Sequence, residues 1–286
     1  MSGRAELVRA LAVVCEPPGP GLAGVVDALG LPGRPRPEDY VDLFLLQAYP
    51  YASVYLGPEG MMGGEARDRA AGFWRALGFV PPSEPDHLAA LLGLYAVLIE
   101  AERDEPDPAR RALRRASRRA LLWEHLLSWC PAYLDKVAEV ASPSYAAWST
   151  LLRATLLDEA ERVGRQVELP LGLRLARELP SAEASGDEWV AALLAPARSG
   201  VIVTRADLGK GSTLLGLGVR MGERSRMLRS MLEVDPGGTI AWLVDAADDA
   251  AGRHAALEPA LGPVATHWRD RAAATSAALH ASSVAA

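Results

Sequence analysis

From Leu88 onward the chain carries Leu88, Leu91, Leu92, Tyr95, Leu98 and Ile99 at the i, i+3, i+4, i+7 spacing of a helix with one buried face. The same period recurs between proline and glycine stops along the chain, and it constrains the fold more than any other feature. Arg4 to Val14 is ended by Glu16-Pro17-Pro18-Gly19-Pro20, and Leu22 to Leu29 is closed by Gly30. A third helix begins near Pro37. Gly64 to Leu77 turns Ala70, Phe73, Trp74 and Leu77 inward and stops at Gly78. Asp107 caps a long helix with Pro108 in its first turn, Ala132 to Val140 follows, and Ser142-Pro143 opens another that runs to about Gly164. Met221 to Val234, Thr239 to Ala250 and Ala255 to about Ala273 are further helices. Gly200 to Thr204 is β-prone but has no evident partner strand. The expectation is an all-α protein: a helical bundle of about ten helices over residues 1–180, a mobile linker at Ser181 to Asp187, a helical extension over 187–273, and a disordered tail over 274–286.

Composition narrows the class. The chain has 286 residues, half of them apolar, with few aromatics and abundant Ala and Leu, which suits long helices. A net charge of −6 argues against nucleic acid as a partner. Cys15 and Cys130 are far apart, outside any CxxC, and read as buried thiols of a reducing compartment. No apolar run reaches the roughly 18 residues that span a bilayer, and Met1 to Glu6 has no signal-peptide pattern, so a soluble cytoplasmic protein is expected. The histidines His87, His125, His254, His267 and His280 form no zinc-spaced cluster. There is no nucleophile elbow, and Gly209-Lys210-Gly211-Ser212-Thr213 lacks the order of a phosphate loop. Asp248 and Asp249 sit on a polar helix face. Nothing demands catalysis, a metal or a cofactor. Arg110, Arg111, Arg114, Arg115, Arg118 and Arg119 line adjacent helical ridges and read as a solvated basic face, with an acidic partner as the alternative.

Two stretches are candidate sites. Pro82-Ser83-Glu84-Pro85-Asp86-His87 joins a stiff polar loop to the apolar helix. Ser83 and Asp86 fit a capping box, and a partly exposed Asp86 carboxylate equally suits a cationic ligand. Upstream, Tyr40, Leu43, Phe44 and Gln47 share one helix stripe, a pattern of core packing. Tyr49 to Gly60 follows as a loop too rich in Pro and Gly for a helix. Its tyrosines fit either a recognition surface or a segment lying on the core.

In that order, Tyr40-x-x-Leu43-Phe44, Pro50-Tyr51-Ala52-Ser53-Val54-Tyr55-Leu56 and Glu84-Pro85-Asp86-His87 resemble the signature of the TorD/DmsD/NarJ family of redox-enzyme maturation chaperones. His125-Leu126-x-x-Trp129-Cys130-Pro131 and Ser142-Pro143-Ser144-Tyr145 resemble the family's later helix junctions, so the likeness covers about residues 36 to 160. It implies a TorD-like helical domain in a cytoplasmic chaperone. Such a chaperone holds the twin-arginine leader of a molybdopterin oxidoreductase until its cofactor is inserted. The leader-binding positions would be Tyr40, Leu43, Phe44, Pro50, Tyr51, Asp86 and His87, with Glu84 a second carboxylate beside them. Here the loop lacks the residue often found between Pro and Asp, and the chain beyond Asp187 is an extension that short members lack. Partners would be the leader and the enzyme body, with monomer or dimer left open. A structural subunit of an oxidoreductase complex, or a small hydrolase or nucleotide-binding enzyme using Asp86 and His87, are the competing readings.

Overall fold

A computed structural model describes residues 3–220 and 222–285, without the side chains of 282–285. Met1, Ser2, Met221 and Ala286, which belong to the expected N-terminal, helix-start and tail stretches, lie outside the described residues. The fold is all-α, with no strand among the described residues. Up to Arg174 the described residues hold ten α-helical segments and two π-helical turns, in line with the ten or so helices expected there, and further helices follow in the C-terminal part as expected. The chain divides into two compact units, residues 1–53 with 62–166, and residues 54–61 with 167–286.

In the first unit Gly3–Val14 packs on Leu88–Asp104, and Cys130–Val140 on Pro143–Val163. The apolar period of Leu88–Asp104 is the reason: Leu88, Leu91, Leu92, Tyr95 and Leu98 are all buried. Trp123, Trp129, Trp148, Tyr133, Tyr145 and Phe44 complete this core. Pro37–Tyr40 continues into a π-helical turn, Val41–Gln47, and a second such turn spans Leu121–Leu127. The wider turn keeps Tyr40, Leu43 and Phe44 inward but leaves Val41, Leu45 and Leu46 exposed.

Several expectations change. The stretch after Tyr49 is not all loop, since Ala52–Leu56 is helical. The arginine ridges are not simply solvated. Arg118 is buried between Glu102 and Glu159, at 2.7 and 2.9 Å, and Arg115 donates to Glu102 at 2.9 Å. Arg110, Arg111, Arg114 and Arg115 remain exposed, and helical periodicity cannot reveal that Arg118 alone turns onto buried acids.

The second unit has its own core. Val190, Leu193, Leu208, Met227, Leu228, Met231, Leu243, Val244 and Ala272 belong to it, and Pro236–Ala255 lies along Pro263–Ala285. Ser185 caps Gly186–Leu193 within the stretch expected as a linker. Residues 201–204 are buried, outside any helix and without a partner strand, as their sequence suggested. The expected disordered tail is helical to Ala285, because Ala272, Thr275, Ser276 and Leu279 are buried along that helix. Gly200 (φ +74°) allows the close approach: a Cβ there would lie 2.2 Å from Ala272 N.

Candidate functional site

The loop before Leu88–Asp104 is strapped down by backbone and side-chain bonds. Leu88 N donates to Pro50 O at 2.8 Å, and Ala52 N to Asp86 O at 3.0 Å, around an isolated antiparallel bridge between Tyr51 and His87. Arg67 donates to Ser83 O at 2.9 Å, and the Trp74 indole to Pro85 O at 3.2 Å. The two stretches singled out in the sequence are therefore one structure.

Asp86 is 1% exposed, not partly open. Its Oδ2 accepts from Ser53 N at 3.0 Å, satisfying a free donor at the start of Ala52–Leu56. No Ser83–Asp86 capping box opens the following helix. His87 is the N-cap there, its Nδ1 accepting from Ala89 N at 3.1 Å. That bond places the proton of the neutral ring on Nε2. Burial lowers the His87 pKa despite the opposing charges of Glu84, Glu16 and Asp86.

Tyr51 stands edge-on to the His87 ring at 4.9 Å, and its hydroxyl donates to exposed Glu84 Oε2 at 2.8 Å. Burial, then that hydrogen bond and the Glu84 charge, raise the Tyr51 pKa. Burial first, and then the Glu84 and Glu16 carboxylates, raise the Tyr40 pKa. Phe44 is fully buried against Tyr145 and Trp148, at 5.1 and 5.8 Å between ring centres, and Leu43 and Pro50 are buried.

A groove of about 560 Å³ opens beside the loop before Leu88–Asp104. Glu16, Glu84, His87, Pro82 and Ser83 line it, with an apolar remainder of Trp74, Phe79, Ala89, Ala90, Gly93, Leu94 and Val97. Of the predicted residues, Glu84 and His87 line the groove. Tyr51 holds Glu84, while Leu43, Phe44, Pro50 and Asp86 are buried and do not line it. Sequence reasoning missed Glu16, Trp74, Phe79 and Gly93 as groove residues. Trp74 carried a signal, an amphipathic helix with an indole near its end, but Glu16 looked like part of a plain Pro/Gly stop.

Residues 37–135 match the family described as nitrate reductase delta subunit. That segment, about a third of the chain, is similar to this family. Two curated relatives, both named Chaperone protein TorD, from Vibrio vulnificus strains YJ016 and CMCP6, are each 29% identical over 136 residues. The similarity covers 44% of this chain and 63% of each relative. Every residue predicted for the site falls inside the delta-subunit segment, whereas Glu16 and the second unit's residues 167–286 fall outside it. No helix among the described residues is long and apolar enough to cross a membrane.

Proposed function

We propose that this chain is a cytoplasmic maturation chaperone, not an enzyme, that binds the twin-arginine leader of a molybdopterin oxidoreductase before export or assembly. The observation that carries the reading is the groove, lined by two carboxylates together with aromatic and aliphatic surface. A leader has complementary chemistry, two guanidinium groups followed by an apolar, helix-prone run. Charge-assisted contacts suit the first part and an apolar groove the second. Similarity to relatives named as chaperones supports the same reading. Glu84 would meet an arginine directly, with Tyr51 fixing its carboxylate and His87 presenting Nε2–H at the groove wall. Tyr40, Leu43, Phe44, Pro50 and Asp86 would serve by holding that wall.

The name of the matched family favours a second reading, a permanent subunit of an oxidoreductase complex. Calorimetric titration separates the two. The full chain is expected to bind a synthetic twin-arginine leader, with affinity falling as salt rises. Glu84→Gln should weaken binding by about 1–3 kcal/mol if the pair is partly desolvated. Absence of leader binding, together with a stable isolated complex with an oxidoreductase body, would favour the subunit.

A further inference from the structure

We propose that Glu16 is the second arginine-binding carboxylate of the groove, and that Gly93 keeps its floor open for the ligand's apolar helix. This rests on the leader-binding reading above.

Glu16 follows the first helix and is exposed, and its carboxylate makes no ion pair or hydrogen bond among the described residues. Glu84 accepts only from the neutral Tyr51 hydroxyl and also has no cationic partner among the described residues. Both line the groove together with His87, the N-cap of Leu88–Asp104, and both charges act on that ring. Two unneutralised carboxylates lining one groove fit two adjacent guanidinium groups better than a single cation. Glu16 lies outside the delta-subunit segment, so this second carboxylate comes from the chain's own N-terminal part.

Gly93 is the other anomaly. It sits in the interior of a 17-residue helix, where glycine is a poor choice. Its φ is not in the left-handed region, and a Cβ built on it would meet no atom within 4 Å. Neither backbone strain nor internal packing accounts for the missing side chain. What a side chain there would occupy is the groove, whose floor also includes Ala89 and Ala90. From His87 to Gly93 is about 9 Å along the axis, and to Val97 about 15 Å, at the helical rise of ~1.5 Å per residue. A ligand anchored by arginines at Glu16 and Glu84 thus lays its next turns of helix over Gly93, Leu94 and Val97. Small residues at the crossing let two helices approach closely.

The test uses the full chain and two synthetic peptides, Arg-Arg followed by an Ala/Leu run and the same peptide with Lys-Lys. Calorimetry and melting curves are recorded for wild type, Glu16→Gln, Gly93→Ala and Gly93→Leu. Glu16→Gln is expected to weaken Arg-Arg binding about three- to tenfold, less at high salt, and to narrow the preference over Lys-Lys. Gly93→Leu should weaken both peptides about tenfold or more through filling of the floor, with an unchanged or raised melting temperature. Gly93→Ala should weaken both peptides less, about two- to threefold, because its single methyl group enters the same space. If Glu16→Gln or Gly93→Leu binds like wild type, the inference fails and the leader-binding reading stands. A Gly93→Leu chain that does not fold also overturns it, since the inference requires open space at that position. Wild type that binds neither peptide overturns both.

Discussion

Asp86 brings a carboxylate into a place with 1% exposure and spends it on a backbone amide 33 residues earlier in the chain. Charge on the acceptor strengthens that bond, and removing the acceptor strands a buried N–H. Asp86→Ala is therefore expected to destabilise the protein by about 1–3 kcal/mol in urea unfolding. Asp86→Asn, which keeps an acceptor oxygen, should cost about 1 kcal/mol or less. An Asp86→Ala protein that unfolds like wild type would show that the Ser53 contact contributes nothing. Both readings open in the sequence, a cap on its own helix and a surface partner for arginine, assumed that the residue acts near its own segment. The contact that holds it is long-range, and no spacing rule encodes it.

The arginine-rich helix Pro108–Ala120 makes the same point for an element. Ala109, Ala112, Leu113 and Ala116 are exposed, while Arg118 is buried beside Glu102 and Glu159. Glu159 also accepts from the Tyr95 hydroxyl at 2.7 Å and pairs with Arg4. Truncating one member of such a cluster leaves an uncompensated buried charge. Arg118→Ala is expected to cost about 3–5 kcal/mol, and exposed Arg114→Ala within about 0.5 kcal/mol of zero. Equal unfolding midpoints for the two variants would contradict the buried-network assignment. In the second unit, helix Pro263–Ala285 depends on the bare backbone of Gly200. Gly200→Ala meets Ala272 N and an unfavourable φ together, and a loss of at least about 2 kcal/mol is expected, read as reduced amide-exchange protection of that helix.

Across the whole molecule, each unit contains a histidine that burial keeps neutral. His125, packed on Phe73, and His254, donating from Nε2 to Gly200 O at 3.0 Å, are both lowered to about 4. Above about pH 6.5 the rings are neutral in both folded and unfolded chains and contribute no slope. Below it the unfolded chain takes up protons that the folded chain refuses, so stability falls from about pH 6.5 down to about 4. The loss is expected to reach roughly 3 kcal/mol per histidine, read from urea midpoints across that range. His254→Gln, which keeps a donor for Gly200 O, should reduce the slope, with His267, which burial also lowers, supplying part of the remainder. An unchanged slope would mean that His254 is protonated in the folded state.

Helix class was legible before any coordinates, because a 3.6-residue apolar period and its proline and glycine stops act over a few residues of chain. Tyr40, Phe44, Asp86 and His87 could likewise be marked as unusual from local pattern and family resemblance. Their roles could not. Burial of Asp86, inward rotation of Arg118 and extension of the last helix to Ala285 each depend on partners 33 or more residues away in the chain, or on packing along a neighbouring helix. Glu16 and Gly93 became visible as groove residues only in three dimensions. A carboxylate after a proline-rich stop and a glycine within a helix have no meaning until the space beside them is known to be open.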